Sequence, residues 1–70
     1  MAVNVGDYVL LRPEDVPASG AEAFTYAEVA TIQPATVGLL AVGVQPPKRY
    51  VVQKGLAEDR KVDAGDATGS

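Results

Sequence analysis

The sequence predicts an all-β fold: a small, partly open barrel of four to five antiparallel strands, with a short 3₁₀ turn and a mobile C-terminal tail. Three observations predict it. The 70 residues contain a succession of short runs rich in Val, Tyr, Thr, Leu and Ile, the types that suit a pleated surface. Segments bearing Pro or Gly separate those runs and read as turns and loops. The central run, Val37-Gly38-Leu39-Leu40-Ala41-Val42-Gly43-Val44, is uncharged from end to end. A strand of that kind must be covered on both sides, by the chain's own core or by a partner.

The first strand is Val5 to Arg12, with Gly6-Asp7 as its turn-type approach. Pro13 ends it, because proline lacks the N–H that a ladder requires. Residues Pro13 to Ala23 hold Pro13, Pro17, Ser19 and Gly20 with Glu14, Asp15 and Glu22, a loop by composition. A loop of that length is either a binding element or a flexible surface excursion. The second strand is Phe24 to Ile32. Alternation puts Ala27, Val29 and Thr31 on one face and Phe24, Tyr26, Glu28, Ala30 and Ile32 on the other. A helix over Ala21 to Ala30 competes through its Ala and Glu content, but the density of Thr, Val, Ile, Tyr and Phe favours the strand.

Gln33-Pro34-Ala35-Thr36 is a turn, and the third strand is Val37 to Val44. Its two glycines mark a bulge or a close backbone approach. Gln45-Pro46-Pro47-Lys48 is the next turn and Arg49 to Lys54 the fourth strand, which Gly55 ends. Leu56 to Arg60 suits one short helical or 3₁₀ turn, and Lys61-Val62 a brief fifth strand. Asp63 to Ser70 has no large apolar residue and reads as a mobile tail. The expected organisation is one β-domain over residues 3–62 and a disordered tail over 63–70.

Size and composition bound the function. A chain this short buries only about 60% of the surface that its unfolded form exposes, so small domains usually add disulfides, a metal or oligomerisation. There are no Cys and no His, which removes disulfides and zinc sites of the Cys/His type. Oligomerisation or docking into a larger assembly is the remaining support, beside an unaided small barrel. The net charge of -3 argues against sequence-independent nucleic-acid binding, which needs clustered Lys and Arg. The basic residues form only Lys48-Arg49 with Lys54 nearby, and Arg60-Lys61. No stretch reaches the ~18 apolar residues of a membrane span. The start has neither a basic nor an apolar leader region, so the expected setting is cytoplasmic or inside a virion.

The residues of ordinary catalysis are missing. A Ser nucleophile needs a base, usually His, and the two serines are Ser19 and Ser70. Glu14-Asp15 and Glu58-Asp59 are adjacent carboxylates in predicted loops, which read as solvated charge rather than an acid–base pair. No Gly-rich phosphate loop is present. Asp63, Gly65 and Asp66 lack the ligand spacing and closing Glu of a calcium loop. No catalytic residue, cofactor, metal site or small-molecule substrate is expected.

A resemblance adds to this reading. Val5-Gly6-Asp7-Tyr8-Val9-Leu10-Leu11-Arg12-Pro13-Glu14-Asp15 resembles the opening strand of SH3-like barrels of the Tudor, KOW and bromo-adjacent-homology kind, where a Gly-Asp pair leads into the first strand. Tyr26 to Ile32 is similar to their second strand, and Gly55 to Asp59 sits where such folds often place a 3₁₀ turn before a last strand. The resemblance covers roughly residues 5 to 62. It implies a fold more than a function.

The surface chemistry that remains is aromatic and apolar. If the small apolar residues point inward, Tyr8, Tyr26 and Tyr50 point outward and form a cross-strand patch. Three readings stay open for that patch. It is cross-strand packing, a protein-docking surface, or, as the Tudor resemblance implies, an aromatic cage for methylated Lys or Arg. The third strand is apolar on both faces: Val37, Leu39 and Ala41 on one, Leu40, Val42 and Val44 on the other. Either a coiled or bulged strand turns both sets inward, or one face meets another molecule. The candidate interface is therefore Tyr8, Tyr26, Leu40, Val42, Val44 and Tyr50. The expected function is a non-enzymatic structural or interaction module that docks on a protein partner or forms a homo-oligomer. An accessory phage virion protein, in capsid decoration or head–tail joining, fits the size and the missing catalytic groups. The alternative is a recognition domain for a peptide or nucleic acid.

Overall fold

The computed structural model describes residues 2–17, 24–43 and 45–68. The chain forms β1 (Tyr8–Leu11), a 3₁₀ turn (Pro13–Asp15), β2 (Thr25–Ile32), β3 (Thr36–Ala41) and β4 (Arg49–Gln53). It ends with α1 (Lys54–Asp59), β5 (Lys61–Val62) and α2 (Ala64–Thr68). The strands make one antiparallel sheet in the order β4-β3-β2-β1-β5. The first four strands follow one another as a meander, and β5 returns to the free side of β1. The fold is thus the small all-β domain that the strand pattern predicts, built as an open sheet. A two-residue β5 is too short to zip against β4, and the chain leaves β4 directly into a helix.

Alternation builds the core. Val9 and Leu11 of β1, Ala27 and Val29 of β2, Val37, Leu39 and Ala41 of β3, and Tyr50 and Val52 of β4 are all buried. Cross-strand pairing keeps them on one face: Val9 opposes Ala27, Ala27 opposes Ala41, Val29 opposes Leu39, and Leu39 opposes Tyr50. Val3, Val16 and Ala57, with the partly buried Leu56 of α1, complete the core cluster. Burying side chains such as Leu11 and Leu39 contributes roughly 1.5–3 kcal/mol each, which is a large share of the stability of so small a domain.

Two local devices shape the sheet. Asn4 to Asp7 is a turn closed by the Asp7 N–H donating to the Asn4 carbonyl at 3.0 Å. Gly6 takes φ +95° in it, the positive φ that the third position of a type II turn demands. In β2, the pairing with β3 slips between Val29 and Thr31, so Ala30 is an extra residue. That bulge corrects the simple alternation. Thr31 now opposes Gly38, on the side away from the core, and Ile32 opposes the buried Val37. Ala30 carries none of the Gly or Pro signals of a bulge. Gly38 accommodates it from the opposite strand: a Cβ there would collide with the Thr31 hydroxyl.

Three expectations change. The 3₁₀ turn lies at Pro13–Asp15, where proline's fixed φ suits a first helical position. The segment before β5 is α-helical and starts at Lys54, taking in Gly55. Residues 64–68, read as tail from composition, form a helical turn in which Ala67 is buried. The Asp63 carbonyl accepts from the Asp66 and Ala67 N–H groups. One small apolar side chain is enough to seat a single turn.

Candidate functional site: the outer face of the sheet

The face opposite the core is the candidate site, and strand register assembles it. One row across the sheet runs Val62, Tyr8, Glu28, Leu40 and Arg49. A second row pairs Leu10 with Tyr26 and reaches Val42, whose N–H donates to the Tyr26 carbonyl at 2.9 Å. Tyr8, Leu10, Tyr26, Leu40, Val42 and Val62 are all half-buried. Val51 of β4 is 70% exposed and Phe24, just before β2, is 62% exposed. The polar residues of the face include Glu28, Thr31, Arg49 and Gln53. A sheet with one face on a core normally shows water a polar second face. Here apolar and aromatic side chains, Tyr8, Leu10, Tyr26, Leu40, Val42 and Val62, surround the exposed Glu28 at its centre.

At the β5 end this face runs into a groove of about 230 Å³. Leu10, Phe24 and Val62 supply its apolar lining, and Arg12, Arg60 and Lys61 with Asp59 its charged rim. Those cations already have carboxylates. Asp15, whose side chain is 5% exposed, accepts from Arg60 Nε at 2.8 Å and from Arg12 Nη2 at 3.2 Å. It also accepts from the Arg12 backbone N–H at 2.9 Å. Lys61 Nζ lies 3.4 Å from Asp7. The Asn4 N–H donates to Asp7 at 2.7 Å, and this bond, with Lys61 beside it, holds the Asp7 carboxyl below its ordinary value.

The sequence-derived candidates divide as follows. Tyr8, Tyr26, Leu40 and Val42 stand on this one outer face. Val44 lies outside the described residues. Tyr50 is a correction: it is 7% exposed and belongs to the core face beside Val52. Its phase was legible in its neighbours, since Arg49, Val51 and Gln53 are the exposed set of β4. The β3 question also resolves. Its second set is not turned inward: Leu40 and Val42 stay on the outer face, half-buried by their neighbours. Leu10, Val51 and Val62 were missed. Leu10 follows from Tyr8 by alternation, whereas a two-residue strand such as β5 offers no period to read.

Arg12, Arg60 and Lys61 are ion-paired. Arg49 at the start of β4 and Lys54 past its end are separated by the exposed Val51 and Gln53, and Lys48 lies over the ring of Tyr50. That arrangement is a broken basic edge rather than the continuous stripe of a nucleic-acid binder. Among the described residues, no group of three or more His, Cys, Asp and Glu side chains converges as metal ligands. No helix among them is long and apolar enough to cross a membrane. Comparison with protein-family models, curated proteins and solved structures finds no match to this chain.

Proposed function

We propose that this chain is a non-enzymatic structural and interaction module of SH3-like type, which docks through the outer face of its sheet into an oligomer or larger assembly. One observation carries the reading: the half-buried apolar and aromatic side chains, Tyr8, Leu10, Tyr26, Leu40 and Val42, on a face that the domain's own core does not use. Tyr in particular offers a rigid contact area with a polar tip, which is why it is enriched at interface hot spots. The strand order and the helical turn between β4 and β5 support the SH3-like part of the proposal. An accessory place in a phage particle, in capsid decoration or head–tail joining, is the setting we favour for a module of this size without the residues of ordinary catalysis.

The test is whether the face holds the chain in an assembly. Native protein and the variants Leu40→Asp and Tyr26→Asp are expressed in the source system, and sedimentation separates free chain from particles and complexes. The native chain is expected to travel with a large species and both variants to run free while remaining folded. A native chain that runs free, or variants that stay with the large species, overturns the proposal.

A further inference from the structure

A second surface, adjoining the outer face but built on backbone groups, is the free edge of β4. We infer that β4 pairs with the β4 of a second copy of this chain, antiparallel and centred on Val51. The argument begins with the ladder. The Ala41 N–H donates to the Lys48 carbonyl at 2.9 Å, and the Lys54 N–H donates to the Ala35 carbonyl at 3.0 Å. In an antiparallel pair, hydrogen-bonded residues alternate with residues whose N–H and C=O point away. Continuing from those two bonds through the register of β3 and β4, Tyr50 and Val52 bond to β3. Arg49, Val51 and Gln53 turn their backbone groups to the open edge. These three residues are the exposed ones of the strand, and β4 ends the sheet order, so among the described residues no strand pairs with that edge.

The edge is self-complementary. About a two-fold axis at Val51, Val51 opposes its own counterpart, and Arg49 opposes Gln53 of the second copy. Every outward N–H and C=O of the three residues then has a partner, in three hydrogen-bonded pairs of the antiparallel kind. No like charges meet within those pairs, and the two exposed Val51 side chains stack across the axis. The next residues outward are Lys48 and the second copy's Lys54. They do not extend the ladder, because the Lys48 carbonyl and the Lys54 N–H are already bonded to the Ala41 N–H and the Ala35 carbonyl. A registration shifted by two residues would leave part of the edge unpaired and set Arg49 against an apolar side chain. The edge at the other side of the sheet, β5, spans only two residues and offers no comparable template. An exposed edge offers its unpaired N–H and C=O groups as a template for another chain, and charged side chains on it, here Arg49 flanked by Lys48 and Lys54, weaken but do not remove that template.

The experiment combines sedimentation velocity with amide hydrogen exchange by NMR, from micromolar to millimolar protein. The expected result is a dimer that forms with concentration, with the Arg49, Val51 and Gln53 amides becoming protected in step. The Tyr50 and Val52 amides are protected at every concentration. Val51→Lys places two ammonium groups at the axis and is expected to weaken association about tenfold or more. That side chain is solvent-facing, so the variant folds. A chain that stays monomeric over the whole range overturns the inference. So does a dimer in which those three amides still exchange freely, because such a dimer uses another surface. Leu40→Asp separates the two surfaces: loss of the three amides' protection in that variant assigns self-association to the outer face and overturns the edge.

Discussion

Leu39 and Leu40 are adjacent and chemically identical, and the fold gives them opposite tasks. Leu39 is 1% exposed at the centre of the core. Leu40 stands on the outer face with Glu28 on one side and Arg49 on the other. Changing each to Asp therefore separates core from docking face. Fully burying a Leu is worth roughly 1.5–3 kcal/mol, so half-buried Leu40 has about 0.8–1.5 kcal/mol to lose. A carboxylate beside Glu28 adds about 0.2–1 kcal/mol of like-charge cost, partly offset by Arg49. The sum for Leu40→Asp is about 1–2 kcal/mol, a fall in Tm of roughly 5–15 °C for a domain of this length. Leu39→Asp loses about 2–5 kcal/mol of packing and buries an unpaired carboxylate besides. A 70-residue domain has only about 3–10 kcal/mol in total, so Leu39→Asp unfolds. Thermal and urea melts followed by circular dichroism measure both. If Leu40→Asp unfolds like Leu39→Asp, the outer face is a second core and the docking argument fails.

Three further outcomes test the structure. Asp15→Ala strands the Arg12 and Arg60 guanidinium groups and is expected to cost about 2–3 kcal/mol, below the usual figure for a buried pair because both arginines reach solvent; Arg60→Ala should cost more than Arg12→Ala in the same urea melts, since Arg12 is the more exposed partner. Asp7 has a lowered folded pKa, so its contribution is present above the unfolded value of 3.8 and is lost as the pH falls through the folded value; Asp7→Asn should flatten that acid limb in stability-versus-pH curves and leave its position near neutrality as the reference. Gly38→Ala should destabilise through its collision with Thr31 by about 1–3 kcal/mol; the double variant with Thr31→Ala should recover most of that loss, and a thermodynamic cycle without such coupling would contradict the outward placement of Thr31 after the bulge.

The first four strands were legible because each carries its own alternation between turn residues. β2, β4 and β5 begin and end within a residue or so of where Phe24, Arg49 and Lys61 place them. What escaped the sequence depends on contacts between distant parts of the chain. Asp15 reads as half of a solvated acidic pair until Arg60, 45 positions away, closes on it. The Ala30 bulge has no residue-level signature, yet it reverses the faces of Thr31 and Ile32. Tyr50 points inward because Arg49, Val51 and Gln53 take the exposed positions of β4, a phase opposite to that of Tyr8 and Tyr26. For the candidate face, Tyr8, Tyr26, Leu40 and Val42 were found by period alone. Val62 needed the pairing of β5 with Tyr8, which no local pattern encodes.

The two proposed surfaces reinforce one another for a geometric reason. Residues opposed across an antiparallel pair point to the same side of the sheet. Pairing at Val51 therefore sets both outer faces on one side of a joined sheet, with Arg49 and Gln53 at the seam and Tyr8, Tyr26, Leu40 and Val42 flanking it in duplicate. A dimer built on backbone bonds leaves the apolar side chains of both faces available, whereas a dimer built on those side chains would consume them. A partner that presents its own contact twice then binds the second face as an intramolecular step, at an effective concentration set by the rigid spacing across the seam. A small face of half-buried side chains holds a partner only weakly by itself. Doubling it on one rigid sheet is the physical route by which so short a chain could hold a place in a repeating assembly.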